Sequence, residues 1–338
     1  MAIDDLAPGT ITNRTEMKAR FGGGIQGGIQ TPANGETVLA YSDPSQGVKY
    51  GYTFDGHAED DEHGPLFHYT GEGVVGDQRM TDGNKALLDS VTDGRAVLLF
   101  VAASKKGTPG GVKQWFVGQC VVDPVLPFEE RWAPGQDGVI RRVFVFRLRP
   151  AEGVQWALRD EDALPAATVD HIVELPASPK PSVPVPTTKK PGTKSKKTEK
   201  HSTATTVANI IGGEREVVRR EGQLVTAFEA VLTAEAHEFK SFQITVEGEK
   251  GALVPDLYDV TDNVLYEAKG NSTRNAVRMA VGQLLDYRRH VAKQVPKGMR
   301  LAVLLPESPS DDVRKLLAAE DIALVTQTKE GFAGFPLL

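Results

Sequence analysis

Residues 176–206 read PASPKPSVPVPTTKKPGTKSKKTEKHSTATT, and no packed core can include them. Proline, lysine, serine and threonine dominate the run. With almost no apolar side chains, ordering it would cost conformational entropy that burial cannot offset. The composition predicts a semi-extended tether. A chain of 338 residues broken in this way is expected to fold as two bodies. The expected division is an N-terminal domain over 1–175, a linker over 176–206 and a C-terminal domain over 207–338. Charge divides along the same lines: 16 basic against 25 acidic side chains, then 7 against 1, then 16 against 19. The linker lysines could meet phosphates nonspecifically, although a solvated spacer is the simpler reading.

Several classes are excluded early. The hydrophobic share of 40% with 25% charged residues is that of a soluble globular protein. No apolar run approaches the ~18–20 residues that span a bilayer. The start, Met1-Ala2-Ile3-Asp4-Asp5, lacks the basic and apolar segments of a secretion signal. Cys120 is the sole cysteine, which rules out an intrachain disulfide and a cysteine-rich zinc site. A cytoplasmic protein without membrane contact is expected. The net charge of −6, taken alone, points away from nucleic acid.

Val38–Tyr41, Arg95–Val101, Trp115–Val122 and Arg142–Leu148 are short β-branched or aromatic runs between Gly, Pro and Asp turns. They predict a curved sheet or barrel, with one helix over Asn84–Ser90. After the linker the pattern becomes α/β. Glu214–Ala234 carries apolar residues at helical spacing, and Phe242–Val246 is a strand. Asp256–Val260 and Val264–Lys269 form a hairpin turned by Thr261-Asp262-Asn263. Helix Asn275–Val291, strand Arg300–Leu305, helix Asp311–Ala319 and strand Ile322–Thr326 follow.

On that hairpin Glu267 and Lys269, two residues apart, share one face of a strand, and the turn brings Asp256 beside them. Two carboxylates and an ammonium crowd one sheet edge. A Mg²⁺ ion, which takes one or two carboxylates and keeps several waters, suits such a place. It would lower the pKa of a bound water and offset charge on a scissile phosphate, with Lys269 orienting the water or stabilising charge. Glu-Ala-Lys is also commonplace on solvated helices; here Val-Leu-Tyr before it and Gly270 after it favour a strand. The pattern Pro255-Asp256, then Glu267-Ala268-Lys269, within an α-β-β-β-α-β order, resembles the PD-(D/E)xK nuclease family over about 210–328. That resemblance implies metal ligands Asp256 and Glu267, with Mn²⁺ able to substitute for Mg²⁺. It also implies Gln283 of Gln283-Leu284-Leu285-Asp286-Tyr287 as a helix motif residue, and Glu221 as an upstream acid that competes with Glu214, Glu216 and Glu229.

The densest run of unusual residues is Asp55–Gly64, followed by Phe67–Gly73 and Gly76–Leu87. Glycines for turns, flat rings and acids suit a pocket for a planar, amine-bearing group such as a flipped base. An acidic solvated loop and a calcium loop share that composition. The order of residues resembles the SRA (YDG) domain. The resemblance is carried by Glu59-Asp60-Asp61-Glu62-His63-Gly64, by Tyr69-Thr70-Gly71-Glu72-Gly73, and by Asp77-Gln78 with Gly83-Asn84-Lys85-Ala86-Leu87, over about 15–150. It implies an SRA/PUA-like curved β-barrel in which Tyr69 stacks on a flipped modified cytosine, Asp60 accepts from its amine and Thr70 lies at the wall. His57 stands where a second aromatic is often found. Only Val74-Val75-Gly76 fills the stretch where some members carry a long base-reading finger. A loose match at 23–29 implies that Gln26 faces DNA, and Lys105 and Lys106 are candidate phosphate contacts, a solvated loop being the bland alternative.

Together these resemblances imply an α+β protein similar to type IV-like, modification-dependent restriction endonucleases. It would act on double-stranded DNA carrying 5-methylcytosine or 5-hydroxymethylcytosine, as a homodimer if both strands are to be cut. The rival expectations are a non-catalytic reader and a nuclease indifferent to modification.

Overall fold

The computed structural model describes residues 5–50, 54–58, 60–61, 63–105, 107–175 and 202–337. These divide into two compact units, one over 1–123, 127–170 and 245–251, the other over 124–126, 171–244 and 252–338.

The first unit is built on nine strands: β1 (Ile11–Asn13), β2 (Ile29–Gln30), β3 (Thr37–Ser42), β4 (Gly56–His57), β5 (Phe67–Thr70), β6 (Ala96–Ala102), β7 (Lys113–Val122), β8 (Phe128–Pro134) and β9 (Ile140–Pro150). The sheet runs β2-β3-β6-β7-β9-β5-β4, with β1 on β7 and β8 on β9. The one parallel pair among them is β3 with β6. Strand β6 reads Ala-Val-Leu-Leu-Phe-Val-Ala because both its faces are covered. Val97, Leu99 and Val101 join one core with Phe67, Tyr69 and Phe146. Leu98 and Phe100 join a second with Met17, Phe21, Tyr41 and Phe116. A bulge shifts the register between Leu99 and Phe100.

Four helices, α1 (Arg14–Phe21), α2 (Pro44–Tyr50), α3 (Asp82–Leu88) and α4 (Ser90–Asp93), stand where one was expected. Helix α1 starts at Asn13, whose side chain accepts from the Glu16 peptide N–H at 2.9 Å. Its apolar content is so low that periodicity does not reveal it; only Met17 and Phe21 are buried.

The second unit comprises β10 (His171–Leu175), α5 (Ser202–Ala234), β11 (Phe239–Thr245), β12 (Leu257–Asp259), β13 (Val264–Ala268), α6 (Arg274–Val291), β14 (Arg300–Leu305), α7 (Asp311–Ala319), β15 (Ile322–Gln327) and β16 (Phe332–Ala333). Its sheet runs β10 through β16 in order. Strands β11, β12 and β13 are mutually antiparallel, while β13, β14 and β15 are parallel through crossovers that contain α6 and α7. Phe228 and Leu232 of α5 pack on Tyr266, Ala268, Leu304 and Val325.

Two expected boundaries move. Strand β10 belongs to the second sheet, so the N-terminal stretch of the first unit runs to 170 instead of 175, and residues 245–251 join that unit from farther along the chain. Helix α5 begins at Ser202, inside the stretch read as linker, because Ser-Thr-Ala-Thr-Thr is too polar to signal a helix by periodicity. Residues 176–201 lie outside the described residues. Among the described residues no helix is long and apolar enough to cross a membrane, and Cys120 is buried as a free thiol.

Candidate functional site

The β12–β13 register pairs Leu257 with Tyr266, which sets Asp256 at the strand end opposite Glu267. The Asp256 carboxylate accepts from the Ala268 peptide N–H at 2.7 Å. Lys269 Nζ donates to Glu267 Oε1 at 2.8 Å. From α5, Glu221 Oε2 accepts from the Gly270 N–H at 3.2 Å. Gly270 is required there: a Cβ would lie 1.9 Å from the Val217 carbonyl oxygen, so helix and strand end touch backbone to backbone. On α6, Gln283 Nε2 donates to the Tyr287 hydroxyl at 3.2 Å. The structure therefore gathers Asp256, Glu267, Lys269 and Glu221, with Gln283 on the neighbouring helix. Of the competitors of Glu221, Glu216 pairs instead with Arg219 and Arg220 on the same helix.

The charges in this cluster are unbalanced. Glu267 is buried, and its Oε2 has no hydrogen-bond partner, as is also true of Gln283 Oε1. Burial, reinforced by the Asp256 charge, pushes the Glu221 carboxyl up to about 7. Burial and the same neighbour raise Glu267 well above the usual carboxylate range, and burial raises Asp256. Desolvation would lower the Lys269 ammonium, but the charges of Glu267, Glu221 and Asp256 outweigh it and raise it. Three carboxylates against one ammonium leave the cluster with an excess of hard oxygen acceptors, of the kind that divalent cations take. The tightest three-residue donor group among the described residues lies elsewhere, at His237, Asp259 and Asp262. It has a structural cause: Asp259 accepts from His237 and from the N–H groups of Thr261 and Asp262, which locks the β12–β13 turn.

The first unit contains a cavity of about 580 Å³ lined by Tyr41, Tyr69, Thr70, Asp55, Arg14 and Gln26, among others. Tyr69 and Thr70 enter from β5, and the Tyr69 hydroxyl donates to the Tyr41 carbonyl at 3.4 Å. A Cβ on Gly28 would stand 2.9 Å from that hydroxyl, so only glycine leaves the Gly-rich loop this close. Asp55 is buried just before β4. Its carboxylate accepts from the Thr70 N–H and the Ser42 hydroxyl, each at 2.7 Å. Burial, which those bonds only partly offset, pushes Asp55 up to about 6.

The motif residues downstream of Tyr69 build the frame instead of the cavity. Gln78 Oε1 accepts from the Phe144 N–H at 2.8 Å, and its Nε2 donates to the Gly71 carbonyl. Asn84 accepts from the Glu72 N–H at 2.7 Å and donates to the carbonyls of Glu72 and Arg79. A second depression of about 790 Å³, with Arg79, Arg142, Val74 and Val75 in its lining, shares Gly27, Gly28, Glu72 and Val74 with the first.

Several expected residues stand elsewhere. Asp60 is exposed and does not line the cavity. Its neighbour Asp61 is drawn away to Arg147 and Arg149, at 2.8 and 2.6 Å, and those pairs hold it down at about 2. The acidic run is thus tied to β9, and Asp55 is the acid that reaches the cavity. His57 also lies outside the lining residues; its Nδ1 sits 3.2 Å from the Ala58 carbonyl oxygen. Lys105 is exposed and does not line the cavity; Lys106 lies outside the described residues. Asp55 and Arg14 were missed: Asp55 opens the dense acidic run, but the resemblance pointed to Asp60 farther along it, and Arg14 is a lone charge outside any motif.

A family model, the SRA domain of ScoMcrA-like proteins, matches residues 8–169. Residues 8–169 are an SRA domain of the ScoMcrA-like family. The SRA domain accounts for the first unit; the match does not extend to the second. Among solved structures, the sulfur-binding and SRA domains of ScoMcrA complexed with phosphorothioated DNA align at 29% identity and a TM-score of 0.32, over 43% of this chain and 40% of that one. The type IV phosphorothioation-dependent restriction endonuclease ScoMcrA aligns at 29% identity and 0.32, over 43% of this chain and 28% of its own. The SUVH5 SRA domain with fully methylated CG DNA aligns at 20% identity and 0.31, over 47% of this chain and 97% of that one. This chain thus spans well under half of either ScoMcrA structure. No curated protein matches it.

Proposed function

We propose that the protein is a modification-dependent DNA endonuclease, in which the SRA domain captures a flipped modified cytosine and the second unit, a PD-(D/E)xK fold, hydrolyses a nearby phosphodiester. The observation that carries this reading is buried Glu267 with half-buried Asp256 and Glu221 around Lys269, Glu267 Oε2 having no hydrogen-bond donor, in the same chain as an SRA domain.

In the first unit, Tyr69 offers its ring to the base, and Asp55, in the role expected of Asp60, accepts from the exocyclic amine beside Thr70. A carboxylate already held by Thr70 and Ser42 needs no rearrangement to do so. In the second unit, Asp256 and Glu267 would hold Mg²⁺, or Mn²⁺ in its place, which when bound supplies positive charge against the scissile phosphate. Lys269 is fixed by Glu267 and donates toward the attacking water or the developing negative charge. Glu221, raised to about 7, is poised to take a proton near neutral pH. Gln283 presents an unpaired carbonyl oxygen able to accept from water or substrate. One such centre cuts one strand, so a double-strand break takes a second copy or a second encounter.

The test is cleavage of plasmids carrying unmodified, 5-methyl-, 5-hydroxymethyl- or glucosylated cytosine, with Mg²⁺. Cutting confined to modified DNA and abolished by Lys269→Ala is expected. Binding to modified DNA without any cutting would overturn the nuclease half. Equal cutting of unmodified DNA would overturn the reader half.

A further inference from the structure

With His57 outside the cavity, Tyr69 lacks the expected second flat face for a base. We infer that Arg14 supplies it: the guanidinium plane of Arg14 is a stacking platform for the flipped base and a determinant of how that base is held. This rests on the base-capture reading above.

Arg14 lies at the start of α1 and lines the cavity. Its guanidinium carbon stands 4.1 Å from the centroid of the Tyr41 ring. Tyr41 in turn stacks on Phe100, with centroids 5.0 Å apart and planes 22° from parallel, and Phe100 meets Phe116 at 5.1 Å. A column of flat groups thus rises from the core and ends at Arg14 on the cavity side. One donor, Nη1, bonds the Gly27 carbonyl oxygen at 2.5 Å, which fixes the plane. No carboxylate among the described residues pairs with it, although Asp43, Asp55 and Glu72 line the same cavity. Asp43 acts on it only at longer range, so this half-buried guanidinium keeps donors and a face that no direct ion pair occupies. Burial holds the Arg14 pKa below its ordinary value, consistent with a desolvated cation. Guanidinium planes stack on nucleic-acid bases, and the ammonium of lysine has no such plane.

The test uses the full chain with Lys269→Ala, so that no cutting intervenes, and the modified duplex that the cleavage panel identifies. Arg14→Ala and Arg14→Lys are each expected to weaken binding about 5- to 150-fold, the range for one lost stacking contact. Arg14→Tyr is expected to recover most of the loss, and the dependence of affinity on salt should stay the same. Retention of affinity by the lysine variant, with the salt slope of the alanine variant reduced by about one, would mean a phosphate contact and overturn the inference. Equal loss in lysine and tyrosine variants would mean a directed hydrogen bond and also overturn it, as would wild-type binding by Arg14→Ala. Tyr69→Ala separates the two levels. If it abolishes preference for modified DNA while Arg14 variants bind normally, the base-reading stands and the Arg14 platform fails. If Tyr69→Ala binds normally, the base-reading itself fails.

Discussion

The two candidate sites both place carboxylates out of water, but they leave them in opposite states. In the first unit the Asp55 carboxylate is bonded to Thr70 and Ser42. In the second, Asp256, Glu267 and Glu221 crowd a single ammonium, Asp256 and Glu267 lie within hydrogen-bond reach of each other, and no donor faces Glu267 Oε2. A neutral ligand that adds one donor completes the first site. The second is relieved by taking up positive charge, whether protons or, on the proposed reading, a cation. The difference teaches that acidity in this chain serves two ends, which explains why net charge misdirects a reading of its partner.

The contrast can be broken by experiment. The largest effect belongs to Lys269→Ala, expected to slow cleavage at least about 10²–10³-fold, the loss usual when one group stabilising transition-state charge is removed; single-turnover cleavage measures it. Next is Gly270→Ala, which drives a methyl into the Val217 carbonyl and should cost about 3 kcal/mol or more in urea unfolding of the second unit. Cleavage should fall as Glu221 is displaced.

Asp55 gives a pH signature. Its folded pKa, about 6, lies above the ordinary 3.8, so between those values the folded chain keeps a proton the unfolded chain loses. Unfolding free energy therefore falls as pH rises through that window, by roughly 2–3 kcal/mol from this group, and is flat above it. Denaturation curves of the wild type should show this slope relative to Asp55→Asn, and parallel curves would contradict the buried, desolvated Asp55. Tyr69→Ala should weaken binding to modified duplex by about 1–3 kcal/mol and leave binding to unmodified duplex nearly unchanged in fluorescence titrations. The smallest effect sharpens the comparison most: without divalent cation, Glu267→Gln should change the unfolding free energy of the second unit by no more than about 1 kcal/mol, because burial and repulsion from Asp256 already disfavour its charged form. Asp55→Asn has no such repulsion to relieve.

Much of the second unit was legible in sequence. Its strands and helices are long, its periods clear, and the hairpin that carries Asp256 and Glu267 is signalled locally by Thr261-Asp262-Asn263. What escaped was marginal in length or polar, namely β10, β16 and the first turns of α5. The cavity was harder. Asp60 and Asp61 look equivalent in the chain, but Arg147 and Arg149, more than 80 residues away, draw that run to β9. The acid that reaches the cavity, Asp55, opens the same run five residues before Asp60, and nothing local marks it as the one that points inward. Local pattern finds the hairpin because its partners are neighbours in sequence; the cavity is assembled from β3, β5, α1 and the Gly-rich loop, and no local pattern encodes it.

The loop over 71–81 carries a further consequence. Its shape is held by Gln78, Asn84 and Glu72, and by the Val74 carbonyl accepting from the Gln136 N–H at 2.8 Å, all through backbone groups, whereas the Val74 and Val75 side chains are exposed. A scaffold of this kind separates the groups that hold the loop from the side chains that it presents. Substitutions at the two valines can explore new contacts with a target while the fold beneath them keeps its geometry. Diversification of a recognition surface then needs no rescue elsewhere in the protein.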